Sequence, residues 1–109
     1  MAFPQVGIWQ SRHSLKVLDV SNWSTGNGAP IWQWDQHGGN NQQFRIEPLG
    51  GGQYALRSVH SNLVLDVSGW SPDNGAQIQQ WEWHGGNNQL WQIVMPSPRP
   101  SPGGPVRID

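Results

Sequence analysis

Cysteine is absent from all 109 residues. That excludes a disulfide framework, a zinc–thiolate site and a thiol nucleophile, and leaves the redox compartment open. Charge is scarce too: 12% of the residues are charged, against roughly 25% in ordinary globular chains. Six basic and seven acidic residues give a net charge of −1 and a pI near 6.4, so the basic footprint expected of a nucleic-acid-binding protein is missing. No run approaches the roughly 20 apolar residues of a membrane-spanning helix. The opening Met-Ala-Phe-Pro-Gln has neither a basic nor an apolar segment, so no signal peptide is read there; a mature or excised domain would begin the same way. Helical periodicity is also lacking. In excess are glycine (14), proline (9) and tryptophan (8). The first two punctuate turns, and so much indole calls for packing or ring-stacking surfaces.

The chain is one unit written twice. Residues 11–46 lie over 58–93 without a gap at an offset of 47, as Asp19 with Asp66 and His37 with His84 show. Such self-similarity marks a repeat architecture. Val17 to Ser21 returns almost unchanged at Val64 to Ser68, and His37 to Gln42 at His84 to Gln89. A two-repeat domain over 1–94 is expected, with repeats at about 8–47 and 54–94. From Met95 the composition turns to Pro, Ser and Gly, a polyproline-like tail or linker over 95–109.

Each repeat reads as four short strands. The first is Ile8 to Gln10 or Tyr54 to Arg57, the second Lys16 to Val20 or Leu63 to Val67. The third is Pro30 to Trp34 or Gln77 to Trp81, the fourth Gln43 to Glu47 or Leu90 to Val94. Asn27-Gly28 and Asn74-Gly75 mark tight turns, while Pro48 and Gly50 to Gly52 separate the repeats. Short strands at regular spacing predict an all-β barrel or sandwich. Strand alternation then sorts the side chains. With Leu18, Ile31 and Phe44 inward, Asp19 and Trp34 point outward, as do their counterparts Asp66 and Trp81. A carboxylate, an exposed indole and a Gly-rich loop bearing His and Asn thus recur together.

These groups suit a neutral sugar. A carboxylate accepts charge-assisted bonds from neighbouring hydroxyls, an indole stacks on the apolar face of a pyranose, and Asn and His supply donors and acceptors. Gln89-Leu90-Trp91, its variant Gln42-Gln43-Phe44, the two Leu-Asp-Val segments, Ile-Gln-Gln-Trp and the Asn-Asn-Gln pair together resemble the ricin-B-type lectins, β-trefoil carbohydrate-binding modules with a Gln-x-Trp signature. The resemblance covers about Ile8 to Val94. It implies carbohydrate contacts from Asp19, Trp34, His37, Asn41 and Gln42 in one repeat and from Asp66, Gln79, Trp81, His84, Asn88 and Gln89 in the other. It also implies a glycan partner of galactose, N-acetylgalactosamine or xylan type, with no cofactor.

The chain departs from this family in two respects. A trefoil has three such units and this chain two, which would leave open strand edges; self-association, a differently closed dimer or a lobe from flanking sequence would each cover them. Family members often carry Cys where Gln36 and Trp83 stand.

Plainer roles compete at each position. The aspartates could bond turn amides, the indoles pack in a core or interface, the histidines cap the Gly-Gly turn and the asparagines brace a loop. Gln42 and Gln89 share the face of Phe44 and Trp91, which favours backbone satisfaction over sugar contact. Trp23 and Trp70 read most simply as core or lobe-contact residues, with a place beside the pocket as the alternative. A catalytic role has little support: the aspartates fall on different lobes, unlike the paired carboxylates of glycosidases, no nucleophile motif surrounds the serines, and the four histidines lack zinc-ligand spacing. The rival to a lectin is a protein-interaction module using exposed Trp32, Trp34, Trp81 and Trp83.

Overall fold

A computed structural model describes residues 5–94; the expected tail lies outside them. The architecture is all-β, two trefoil-type lobes of four strands each. The first lobe holds β1 (Val6–Gly7), β2 (Val17–Val20), β3 (Ile31–Trp34) and β4 (Phe44–Gly50). The second holds β5 (Gln53–Ser58), β6 (Val64–Val67), β7 (Ile78–Trp81) and β8 (Trp91–Gln92). Pairing repeats at the sequence offset. The antiparallel ladder from Val17↔Trp34 to Val20↔Ile31 returns as Val64↔Trp81 to Val67↔Ile78, and the bridge Gln10↔Val17 returns as Arg57↔Val64. The lobes are joined by the β4–β5 ladder, running from Phe44↔Ser58 to Pro48↔Tyr54.

Several boundaries differ from the sequence reading. Ile8 to Gln10 form no strand; they touch the next strand through one bridge at Gln10, and β1 lies earlier, against Arg45 and Phe44. The equivalent Ala55 to Arg57 are extended because β4 of the preceding lobe pairs with them, a partner that Ile8 to Gln10 do not have among the described residues. For the same reason β8 ends at Gln92, where β4 runs on to Gly50. Pro48 is part of β4 and not a break; the register shifts between Pro48 and Gly50, an irregularity where a residue without an N–H is tolerated. The reversal is made by Gly50, Gly51 and Gly52, at φ of 91°, 63° and 78°, a left-handed run open only to glycine at little cost.

Val20, Ile31, Phe44 and Leu65 form the buried core, with Leu18, Ala29, Leu56, Ile78 and Trp91 packed around it, so both lobes contribute to one apolar centre. Trp91, the counterpart of Phe44, spends its indole N–H on Leu65 O at 3.1 Å.

Alternation fails in β2, where Val17, Asp19 and Val20 are all buried. The cause is a short 3-10 turn, Asn40–Gln42, folded back over the strand. Asp19 and Asp66, expected to point outward into solvent, are instead 3% and 2% exposed. They form a floor.

Candidate functional site

In the first lobe this floor lies beneath a hollow lined by Asp19, Asn22, Trp23, Trp32, Trp34, His37 and Asn41. The Asp19 carboxylate accepts three bonds: from Trp32 Nε1 at 2.6 Å on Oδ1, and from Asn41 Nδ2 at 3.2 Å and Gln42 Nε2 at 2.9 Å on Oδ2. A carboxylate has about four acceptor positions, so capacity is left for a ligand donor. Asn41 Nδ2 also donates to Val20 O. That fixes the amide orientation and leaves Asn41 Oδ1 buried and without a partner. His37 Nδ1 accepts from the Gly39 N–H at 3.0 Å, so the proton of the neutral ring is on Nε2. That nitrogen is 3.9 Å from Asp19 Oδ2, too far for a hydrogen bond, and can donate to a ligand hydroxyl. Beside the hollow, Lys16 Nζ lies 2.7 Å from the exposed Asp35 carboxylate and holds its pKa below the usual carboxylate range.

The second lobe repeats the arrangement with Asp66, Ser68, Gly69, Trp70, Gln79, Trp81, His84 and Asn88. Asp66 accepts from Gln79, Asn88 and Gln89 at 3.0, 3.1 and 2.9 Å. His84 Nδ1 accepts from the Gly86 N–H, and Asn88 Oδ1 is again buried and unpartnered. Two substitutions separate the hollows, Asn22 for Gly69 and Trp32 for Gln79. Trp32 stands where Gln79 does, opposite the aspartate in the ladder, and stacks on Trp34 with ring centroids 5.1 Å apart. With both larger side chains the first hollow is ≈ 160 Å³, against ≈ 340 Å³ for the second.

The sequence profile of the ricin-type beta-trefoil lectin domain-like family matches residues 5–81 and again 40–108. The chain belongs to this family. Among solved structures it is similar to the designed three-fold symmetric protein ThreeFoil, with 42% identity and a TM-score of 0.82 over 84% of this chain and 66% of that one. It is also similar to 1,3Gal43A, an exo-beta-1,3-galactanase from Clostridium thermocellum, with 33% identity and a TM-score of 0.81 over 87% of this chain and 21% of that one. Among characterised proteins, 47 residues are 43% identical to the clotting factor G alpha subunit of Tachypleus tridentatus, covering 43% of this chain and 7% of that protein. The chain thus spans less than two-thirds of each of these relatives.

In the first lobe of this trefoil-lectin chain Asp19, Trp34, His37 and Asn41 do meet in one hollow, and in the second Asp66, Gln79, Trp81, His84 and Asn88 meet in the other. Gln42 and Gln89 do not line either. Both are 0% exposed. Gln42 Oε1 accepts from the His37 and Gly38 N–H groups, and its Nε2 donates to Asp19 and to Asp35 O; Gln89 does the same for its own loop. They hold the aspartate and the His loop in place and are positioning residues. Among the described residues, no group of three or more His, Asp or Glu could hold a metal ion.

Trp23 and Trp70 are not core residues: they are 50% and 58% exposed and stack on His37 and His84 with ring centroids 5.8 and 5.6 Å apart. Both have positive φ, 54° and 56°, an uncommon backbone for a bulky side chain and one that clusters at ligand sites. The sequence carries a signal for this. Each Trp follows Asn22 or Gly69, types that enter the left-handed region readily.

The indoles come to rest over Gly39 and Gly86. A Cβ on Gly39 would lie 2.6 Å from Trp23 Cη2 and 2.8 Å from His37 Cε1. Gly39→Ala is therefore expected to push the Trp23–His37 stack off the first hollow, costing about 1–3 kcal/mol in stability. Binding there should weaken at least tenfold while the second hollow is unchanged, as read by urea denaturation and by ligand-dependent tryptophan emission.

Proposed function

We propose that the chain is a non-catalytic carbohydrate-binding module that takes neutral sugars in its two repeat-related hollows, galactose-type first. One observation carries this reading. In both lobes a buried carboxylate with spare acceptor capacity and an unpartnered asparagine oxygen lie under exposed aromatic rings, so two polar groups await donors beneath a stacking surface. Adjacent sugar hydroxyls supply such donors, and the ring's C–H face supplies the apolar partner. In a galactoside the axial 4-hydroxyl leaves one ring face flat and apolar, which suits Trp34 or Trp81. The similarity to part of an exo-beta-1,3-galactanase supports the same choice. The net charge of −1 favours a neutral ligand over an anionic one. The aspartates line separate hollows with no residue in common, which supports binding without hydrolysis. Shallow single sites bind weakly, and engaging two on one glycan raises avidity.

The test is titration of galactosides, xylans and mannans against tryptophan emission, with a glycan array for breadth. Galactosides are expected to quench emission in two phases, one per hollow. Trp32→Gln together with Asn22→Gly should make the first hollow like the second and merge the two phases into one. An absence of binding to all three classes overturns the reading and leaves a protein-contact module built on the exposed indoles.

A further inference from the structure

The two hollows share a floor and differ at one end. Along β6 and β7, Trp81 pairs with Val64 and Gln79 with Asp66, and Ser68 N extends the pairing to Gln77 O at 2.9 Å. Residues two apart share a face of a strand, so Trp81, the Asp66–Gln79 pair and Ser68 stand in line. From Val64 to Ser68 that line runs about 13 Å, at ~3.3 Å per residue, longer than one pyranose ring. All four of these polar and aromatic residues line the second hollow.

The Ser68 end carries unused polar groups. Gln79 spends its Nε2 on Asp66 Oδ1 at 3.0 Å, which leaves its Oε1 for a ligand donor. That oxygen and the Ser68 hydroxyl have no hydrogen-bond partner among the described residues. Gly69 contributes no side chain, and a Cβ there would meet nothing within 4 Å. An acceptor, and a hydroxyl that can donate or accept, thus lie beyond the carboxylate beside open space.

In the first hollow the same end is closed. Trp32 replaces Gln79, gives its indole N–H to Asp19 Oδ1 at 2.6 Å and lays its ring against Trp34, so the acceptor is gone and a large ring stands in the line. Asn22 replaces Gly69 in the lining. Ser21, the counterpart of Ser68, is 4% exposed and lines no part of the hollow. At ≈ 340 Å³ the second hollow reaches the range of about 300–1,000 Å³ in which a drug-sized ligand is enclosed; the first, at ≈ 160 Å³, falls below it.

We propose, on the reading of both hollows as sugar sites, that the second seats two linked sugar residues and the first only one. One residue rests on Trp81 over the Asp66 carboxylate. The next lies over Gly69, with one hydroxyl donating to Gln79 Oε1 and another pairing with the Ser68 hydroxyl. Gln79, Ser68 and Gly69 set this preference for length, and Trp32 and Asn22 withhold it from the first hollow. The chain then holds a disaccharide unit with one lobe and a single residue, a chain end or a branch, with the other.

Calorimetric titration of galactose against galactobiose, and of xylose against xylobiose, tests this in two full-length variants. Asp19→Asn isolates the second hollow and Asp66→Asn the first. The second hollow is expected to bind the disaccharide about tenfold or more tighter than its monosaccharide, and the first to bind the two within about twofold of each other. Gln79→Trp with Gly69→Asn rebuilds the closed end in the second lobe and should bring its ratio within about twofold; the backbone accepts the asparagine, since Asn22 already holds φ 56° where Gly69 holds 63°. Ser68→Ala is the smaller change should that chain fail to fold, and lowers the ratio about fivefold, the worth of one hydrogen bond. Equal ratios in the two hollows, or a ratio in the second that survives Ser68→Ala, overturn the proposal and leave the sugar reading standing. Binding of none of the four sugars in either hollow overturns the sugar reading itself, and the proposal with it.

Discussion

Asp66→Asn is expected to abolish binding in the second hollow, leave the first occupied, and lower stability by about 1.5–3 kcal/mol, the range for hydrogen bonds to a charged group. The carboxylate accepts from three N–H donors on Gln79, Asn88 and Gln89. An amide of the same shape replaces one acceptor oxygen by a donor and so sets at least one N–H against another in a nearly dry site. The floor is then mis-paired before any ligand arrives, and the acceptor position left for a hydroxyl is lost. Asp19→Asn should do the same to the first hollow. The measurement is tryptophan quenching by a galactoside, with urea denaturation confirming that most molecules stay folded at the titration temperature. Retention of both quenching phases in Asp66→Asn would show that the carboxylate is a structural brace alone.

The repeat, the strands and most of the hollow's residues were legible because each lobe uses local chemistry, and a duplicated segment folds twice alike. Three features were not. Alternation placed Asp19 and Asp66 outward, and in direction that was correct; what covers them is the 3-10 turn at Asn40–Gln42 or Asn87–Gln89, a fold-back that a period-two pattern does not encode. Trp23 and Trp70 read from the sequence as core or lobe-contact residues, with the pocket as alternative, because large apolar rings are usually well buried; Trp23 does meet the second lobe, at His60, but neither ring is in the core. Their left-handed backbone sends them over a glycine instead, and only the preceding Asn or Gly hinted at it. The strand ends at Ile8 and Val94 failed for a different reason. Their extended state depends on a neighbouring lobe, so it is decided by tertiary pairing and not by local propensity.

Gln89→Ala carries the largest expected loss of stability, about 3–4 kcal/mol, or a fall in the urea midpoint of roughly 1–3 M. This side chain is fully buried and uses its whole amide. Oε1 takes the N–H groups of His84 and Gly85 at 2.9 and 3.2 Å, and Nε2 donates to Asp66 Oδ2 and Glu82 O, each at 2.9 Å. Truncation leaves two donors and two acceptors short of a partner, each costing about 1–3 kcal/mol where water cannot replace it; relaxation of the exposed loop recovers part. Gln89→Glu separates the hydrogen-bond loss from the cavity. It keeps the volume and can still accept from His84 and Gly85, but it turns an oxygen toward the Asp66 carboxylate and the Glu82 carbonyl. If the amide's pattern is what clamps loop to floor, Glu is as damaging as Ala, and sugar binding in the second hollow is lost in both. If volume is what counts, Glu stays close to the native midpoint and keeps the binding. Since Gln89 touches no ligand-facing surface, loss of binding in a folded Gln89→Glu chain would assign it to the positioning of His84 and Asp66, the role that also explains why the glutamine recurs at position 42.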